Sequence, residues 1–193
     1  MDSIHHILKQ YWGYDQFRPV QEEAINATLS GNDTLILLPT GGGKSICFQI
    51  PVLAMEGVCI VVTPLIALMK DQVEQLKKRN ISAAAIHSGM NQHQISITLD
   101  NCIHGHTKFL YVSPERLRTD IMIQRSLQMN ICLLAVDEAH CISAWGYNFR
   151  PSYLMIADFR ARIPQVPVMA LTATATAEVR MDIMSKLLMK NPL

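Results

Sequence analysis

A short apolar run followed by a helical pattern, repeated along the chain, most constrains what this sequence can fold into. The runs are Thr34–Leu38, Val58–Val62, Ala83–Ile86, Phe109–Val112, Ile131–Val136 and Val166–Leu171. Most are apolar throughout rather than alternating, as strands covered on both faces are. Helical patterns lie between them, at 18–30, 44–55, 65–79, 91–103, 117–128 and 175–189. Strand alternating with helix predicts an α/β fold, a mainly parallel sheet flanked by helices on both faces. At 193 residues, with no internal repeat or Gly/Ser linker, the chain is expected to form a single domain, 1–193.

In such sheets, ligands bind beyond the carboxyl ends of the strands. The residues that follow the runs include Thr40-Gly41-Gly42-Gly43-Lys44-Ser45, Thr63-Pro64, His87-Ser88-Gly89, Ser113-Pro114-Glu115, Asp137-Glu138-Ala139-His140 and Thr172-Ala173-Thr174. One edge of the sheet therefore collects hydroxyls, carboxylates and glycines. Hydrophobic residues at 49% against 17% charged exclude a disordered chain. A net charge of +1 excludes a global attraction to nucleic acid, so any such surface must be local. The longest apolar stretch, Val58 to Met69, is broken by Thr63 and Pro64, and a spanning helix needs about 20 residues, so no membrane is expected. The N-terminus has neither a basic start nor an apolar run, so no secretory signal is expected. Five cysteines, an odd number with no C-x-x-C pair, suggest reduced thiols in a soluble intracellular protein.

Strand, glycine loop, Lys44-Ser45 and helix form a phosphate cradle. Glycines let backbone N–H groups turn toward phosphate oxygens. Lys44 reaches the β and γ phosphates, and the Ser45 hydroxyl ligands Mg²⁺. The loop departs from G-x-x-x-x-G-K-[ST] at its first position, which is Leu38. Asp137-Glu138 arrives at the end of another apolar run. Adjacent carboxylates on an extended chain point different ways. One is expected to hold the Mg²⁺ shell, and the other to orient or deprotonate a water.

Aromatic residues cluster twice: Tyr11, Trp12, Tyr14 and Phe17, then Trp145, Tyr147, Phe149 and Tyr153. Neither cluster lies in a predicted strand. The second, mixed with Arg150, suits stacking on unpaired bases. The first, beside Arg18 and Gln21, suits a purine. The alternative for both is a hydrophobic plug that packs a loop on the sheet. Cys102, His104 and His106 match no common zinc spacing and suggest a surface helix end. Lys77-Lys78-Arg79 suggests a solvated helix end, or else a phosphate contact.

Taken together, these motifs resemble those of the RecQ family of superfamily 2 DNA helicases. Asp137-Glu138-Ala139-His140 is similar to the DEAH box of that superfamily, and Thr40 to Ser45 to its phosphate loop. Tyr14 to Gln21 resembles the leading motif, which grips adenine. Thr63 to Gln72 and Tyr111 to Leu117 resemble motifs that lie along the DNA backbone. Leu171 to Thr176 resembles the motif that couples hydrolysis to DNA. His140 to Ser143, running into Trp145-Gly146 and Phe149-Arg150-Pro151, resembles the family's aromatic-rich loop. Tyr147-Asn148 replaces a usual His-Asp there.

The resemblance implies a RecA-like lobe of an ATP-dependent 3′–5′ DNA helicase of recombination and repair. It implies ATP and Mg²⁺ as cofactors, with Tyr14, Arg18, Gln21 and Thr40 to Ser45 on the nucleotide and Ser45 and Asp137 on the metal. Lys44, Asp137, Glu138 and His140 are then catalytic. Trp145, Phe149, Arg150, Thr172 and Thr174 contact DNA or couple it to hydrolysis. It also implies single-stranded or partly duplex DNA as partner, a second helicase lobe supplying arginine fingers, and zinc only in a module not seen in this chain. The lobe alone is expected to be a nearly inactive monomer, cytoplasmic or nuclear. Two rivals remain: a nucleotide-gated binding module that unwinds nothing, and a small-molecule kinase, which would leave the aromatic loop unexplained.

Overall fold

The computed structural model describes residues 3–190 and 192–193. Its sheet has six strands: β1 (Thr34–Leu37), β2 (Val58–Val62), β3 (Ala83–Ile86), β4 (Phe109–Val112), β5 (Ile131–Val136) and β6 (Val168–Thr172). All pairings are parallel, in the order β1-β6-β5-β2-β4-β3. The helices are α1 (Ile4–Trp12), α2 (Gln21–Leu29), α3 (Lys44–Ala54), α4 (Ile66–Lys78), α5 (Gln92–Ile103), α6 (Asp120–Ser126), α7 (Met155–Arg162) and α8 (Ala177–Lys186). The alternation predicted from the apolar runs is borne out.

Its cause is burial on both faces. In β2 every residue is buried. Val58, Ile60 and Val62 face a cluster built with α5, α7 and α8, which contribute Ile95, Leu99, Ile156, Phe159 and Ile183. Cys59 and Val61 face the opposite cluster, with Phe48 and Val52 of α3 and Met69, Val73 and Leu76 of α4. A strand with apolar cover on both sides has no solvated face, and so no alternation.

Two helices lack a counterpart in the sequence expectations. In α1, Ser3 caps the helix by accepting a bond from the His6 N–H, and Ile7 and Leu8 pack on Ile25 and Ile50 as a small outer core. α7 follows the aromatic-rich segment and buries Ile156 and Phe159. The pattern at 18–30 begins only at Gln21, because Val20 lies at φ +74°, where a β-branched residue is strained. The pattern at 117–128 divides into a 3₁₀ turn, Pro114–Arg118, and α6. At the outer edge, the Leu193 N–H donates to the Asp33 carbonyl at 3.1 Å and its carbonyl accepts from Leu35 at 2.9 Å, lengthening the sheet beside β1.

This strand order sets four ends side by side. Leu37 pairs with Thr172, Ala170 with Val136, and Val136 with Val62. The segments after β1, β6, β5 and β2 therefore share one carboxyl edge. All five cysteines are free, and Cys132 alone among them is not fully buried. Among the described residues, no helix is long and apolar enough to cross a membrane.

Candidate functional site

The glycine loop leaves β1 and turns on itself, with Gly42 N–H bonded to the Pro39 carbonyl at 2.8 Å. Gly43, at φ +81°, is the residue before α3, so Lys44 and Ser45 open that helix. A Cβ at Gly43 would displace the Gln21 amide, and the left-handed backbone there favours glycine in any case. The N-terminal N–H groups of an 11-residue helix thus face the strand-end edge, a ready place for phosphate.

Gln21 is 2% exposed, and both ends of its amide are engaged. Its Oε1 accepts from the Arg18 N–H at 2.8 Å, and its Nε2 donates to the carbonyls of Gly43 at 3.2 Å and Gly42 at 3.5 Å. Arg18 Nη1 donates to the Gly41 carbonyl at 2.8 Å. Three successive carbonyls that would repel a phosphate are thereby tied to Arg18 and to Gln21, the first residue of α2. The residues expected at adenine brace the phosphate loop here. Of the neighbouring aromatics, Tyr11, Trp12 and Phe17 pack on the outer core, as a plug would, and Tyr14 stands exposed. Arg79 lies 5.7 Å over the Trp12 ring, which gives that end of α4 a packing role.

The carboxylate turn follows β5. Asp137 continues the ladder, its N–H bonded to the Val62 carbonyl at 2.9 Å. Glu138 then adopts a left-handed conformation, φ 49°, ψ 43°. The pair therefore sits on a left-handed turn, and not on the extended chain expected from sequence. Such strain in a non-glycine residue gathers at functional sites. Tyr153, from the second aromatic cluster, is fully buried, and its hydroxyl donates to the Asp137 carbonyl at 2.9 Å. It supports the turn from beneath, and stacking on a base is excluded for it.

Burial, with the Glu138 charge behind it, pushes the Asp137 carboxyl up to about 6, against the pull of the Glu138 N–H and of Lys44. Protein groups alone therefore compensate this carboxylate poorly. A divalent cation held by Asp137 and Ser45 and completed by phosphate oxygens and waters fits that deficit. No group of three or more His, Cys, Asp or Glu that would hold a metal exists among the described residues, Cys102 and its neighbouring histidines included. A stability test follows. With its pKa raised above that of an ordinary aspartate, the native state binds more protons than the unfolded chain between about pH 4 and 6. Metal-free protein should lose stability as pH rises through that window, and Asp137→Asn should remove that part of the loss. Parallel melting curves for the two proteins from pH 4 to 7 would contradict the assignment.

His140 joins this turn to the end of β6. Its Nδ1 lies 3.0 Å from Thr172 Oγ1 and 3.4 Å from Glu138 Oε2. Thr172 donates its own proton to the Thr174 carbonyl at 3.1 Å. With the Thr172 proton on the Thr174 carbonyl, the threonine oxygen is free to accept from His140 Nδ1. Glu138, His140, Thr172 and Thr174 form one connected set.

The aromatic loop begins on fixed ground. The Trp145 N–H donates to Ser143 Oγ at 3.2 Å, the Arg150 N–H donates to the Cys141 carbonyl at 2.8 Å, and Ser143 is fully buried. Its rings do not pack: Trp145 is 78% exposed and Tyr147 fully so. Phe149 is partly exposed, with Lys186 Nζ 5.9 Å from its ring. A cleft of about 510 Å³ runs from His140 past Trp145 and Tyr147 to Thr174. A second, of about 380 Å³, is lined by Pro64, Ile66, Met69, Ser113, Glu115 and Arg116, after β2 and β4.

Sequence reasoning assigned no individual role to Gln49, Gln72 or Tyr111. Gln72 Nε2 donates to Ser45 Oγ at 3.2 Å, and its Oε1 accepts from Tyr111 at 3.1 Å and from Gln49 at 3.4 Å. Gln72 and Tyr111 lie inside motif-like segments, but nothing in their spacing reveals that they meet.

A DEAD/DEAH box helicase family model matches residues 18–182. The chain is 45% identical over 185 residues to the ATP-dependent DNA helicase RecQ of Haemophilus influenzae, covering 96% of this chain and 30% of that protein. It is 49% identical over 184 residues to the ATP-dependent DNA helicase RecQ of Bacillus subtilis, covering 94% and 31%. With the ATP-dependent helicase SGS1 of Saccharomyces cerevisiae it shares 40% over 200 residues, 99% of this chain and 14% of that one. The chain thus spans less than a third of these relatives. The fold is similar to the Hef helicase domain of Pyrococcus furiosus, with a TM-score of 0.70, 22% identity, and 92% of this chain and 37% of that one covered. It is also similar to the DUF1998 helicase MrfA bound to DNA, with a TM-score of 0.75, 16% identity and 96% and 28% covered. A match of this extent, on a chain whose glycine loop and Asp137–His140 turn already share one sheet edge, places it in the DEAD/DEAH box helicase family.

Proposed function

We propose that the chain is the ATP-binding lobe of a RecQ-like, ATP-dependent 3′–5′ DNA helicase that acts in recombination and repair. One observation carries this. The helix opened by Lys44 and Ser45 and the Asp137-Glu138 turn lie at strand ends on one sheet edge, and Glu138 holds a left-handed backbone there. The names of the relatives, and the exposed rings beside that edge, support DNA as the partner.

In this mechanism the loop N–H groups and Lys44 hold the ATP phosphates. Tyr14 stacks on the base, Arg18 and Gln21 read the adenine, and their bonds to the Gly41, Gly42 and Gly43 carbonyls join that end of the site to the phosphate loop. Ser45 and Asp137 hold Mg²⁺, which when bound withdraws charge from the phosphate oxygens. Glu138 orients a water in line with the γ-phosphorus and takes its proton, and the bond to the ADP oxygen breaks. His140 reads the state of Glu138 and passes it to Thr172 and Thr174, and so to the cleft that carries Trp145. Phe149 and Arg150 extend that surface toward DNA. A second lobe supplies the arginine that neutralises charge in the transition state.

An arginine finger is worth about 10³–10⁵ in rate. The chain by itself should therefore bind ATP·Mg²⁺ weakly and hydrolyse it slower by a factor of that order than the two-lobed protein. Phosphate-release assays on both decide it. Helicase-level turnover by the single lobe would refute the division of labour. In the two-lobed protein, single-stranded DNA should raise ATP turnover. Indifference to DNA would refute the helicase assignment and favour a kinase-like enzyme.

A further inference from the structure

Gln72 sits where two parts of the molecule meet. It belongs to α4, whose first turns line the 380 Å³ groove with Ile66 and Met69. Its amide nevertheless points away from that groove, to the Ser45 hydroxyl. Its orientation is not free. Tyr111 and Gln49 donate to the Gln72 carbonyl oxygen, and the amide nitrogen faces Ser45. Gln49 and Tyr111 are themselves buried, and Gln49 Nε2 lies 3.5 Å from the Tyr111 hydroxyl. Four side chains from α3, α4 and β4 thus close a partly buried polar network on the hydroxyl expected to ligand Mg²⁺. A satisfied network of this kind fixes rotamers, and its members act together.

This leaves Ser45 with defined chemistry. One lone pair of Oγ is taken by Gln72. The remaining lone pair and the proton are left for a cation and for a phosphate oxygen. We propose that Gln72, held by Tyr111 and Gln49, is a positioning residue that aims the Ser45 hydroxyl at the nucleotide-bound cation. The elements that line the groove, α4 and the end of β4, thereby bear directly on metal binding. The proposal rests on the assignment of an ATP·Mg²⁺ site to this edge. It adds a residue from α4, outside the phosphate loop, that governs the affinity for the metal rather than for the nucleotide.

Partners that orient a metal ligand from behind are worth about 10–100-fold in metal affinity. The test is a Mg²⁺ titration of fluorescent nucleotide binding to this chain, with nucleotide affinity in EDTA and melting temperature as parallel readouts. Gln72→Met keeps the volume and loses the amide. It should raise the Mg²⁺ concentration for half-saturation about tenfold or more and leave EDTA affinity within error, while the melting temperature falls because Tyr111 and Gln49 lose their acceptor. Tyr111→Phe, which keeps the ring in the core, should shift it in the same direction by a smaller factor and serves as the second probe if Gln72→Met folds poorly. In a Ser45→Ala background Gln72→Met should add nothing. An unchanged Mg²⁺ midpoint in Gln72→Met, in a chain that binds Mg·nucleotide, overturns the proposal and leaves the nucleotide site standing. A shift of the same size in the Ser45→Ala background also overturns it. If the unmodified chain binds no nucleotide with or without Mg²⁺, the nucleotide-site assignment fails and this proposal falls with it.

Discussion

Glu138→Gln should leave ATP binding nearly intact in the two-lobed protein and reduce its hydrolysis by about 10²–10⁴, the range for loss of a positioned general base. Lys44→Ala should fail in another way. In the proposed site its ammonium would make charge-assisted bonds to phosphate, worth about 1.5–3 kcal/mol each, so nucleotide binding should weaken by roughly ten- to a hundredfold and turnover should fall with it. The contrast follows from geometry. Lys44 opens α3 at the end of the glycine loop, whereas Glu138 is bent out of the β5 direction by its left-handed backbone. Glutamine keeps the length of that side chain and its contact with His140, and it loses the charge that orients water. Equilibrium binding and single-turnover hydrolysis, measured on both variants, separate the two roles. Hydrolysis by Glu138→Gln within a few-fold of wild type would remove Glu138 from the role of base. Unaltered affinity in Lys44→Ala would take that lysine off the phosphates.

The parts of this molecule that were legible in sequence are those whose signal is local. β2 and β5 announce themselves because burial on both faces forbids a polar residue anywhere in the run. The phosphate loop is legible because φ of +77° at Gly41 and +81° at Gly43 demand glycine, and an opening Lys-Ser then marks the start of a helix. What remained hidden depends on partners remote along the chain. Gln21 and Gly43 are 22 residues apart, and the hydrogen bond that joins them has no local trace. Ser45 and Gln72 are 27 apart. Glu138 carries its positive φ without glycine or asparagine to signal it, held there by the Asp137 carboxylate that accepts its N–H at 2.9 Å. Tyr153 misled for a related reason. It stands four residues from Phe149 in a segment with no strand pattern, so its neighbours made it look like a loop aromatic. The chain instead turns at Pro151 into a 3₁₀ segment that carries the ring into the core. α1 had a usable signal, Ser3 as cap and Ile4, Ile7, Leu8 and Tyr11 on one face, but it precedes the first apolar run and so falls outside the alternation that revealed the other elements.

Trp145→Ala should strip the two-lobed protein of most of its DNA-stimulated ATP turnover while leaving basal turnover and melting temperature almost unchanged. The ring is 78% exposed on a loop whose base is pinned by Ser143 and by the bond from Arg150 to Cys141, so removing it opens no cavity. A buried ring of that size would cost about 3–5 kcal/mol on truncation. An exposed aromatic beside Arg150 and the partly exposed Phe149 is suited to stack on an unpaired base, at about 1–3 kcal/mol per base. It is also placed to report that contact. The 510 Å³ cleft holds Trp145 at one side and His140 and Thr174 at the other, and His140 touches Glu138 through its Nδ1. A base that draws the loop across this cleft would alter the surroundings of the residue that orients water. Tyr153 supplies the internal comparison. It comes from the same stretch of sequence, is fully buried, and holds the Asp137 carbonyl, so Tyr153→Ala should lower the melting temperature sharply and abolish turnover with or without DNA. Melting curves and ATPase assays with and without single-stranded DNA, run on both variants, decide the matter. A Trp145→Ala protein that melts early yet still responds fully to DNA would show that the ring is structural and that DNA is sensed elsewhere.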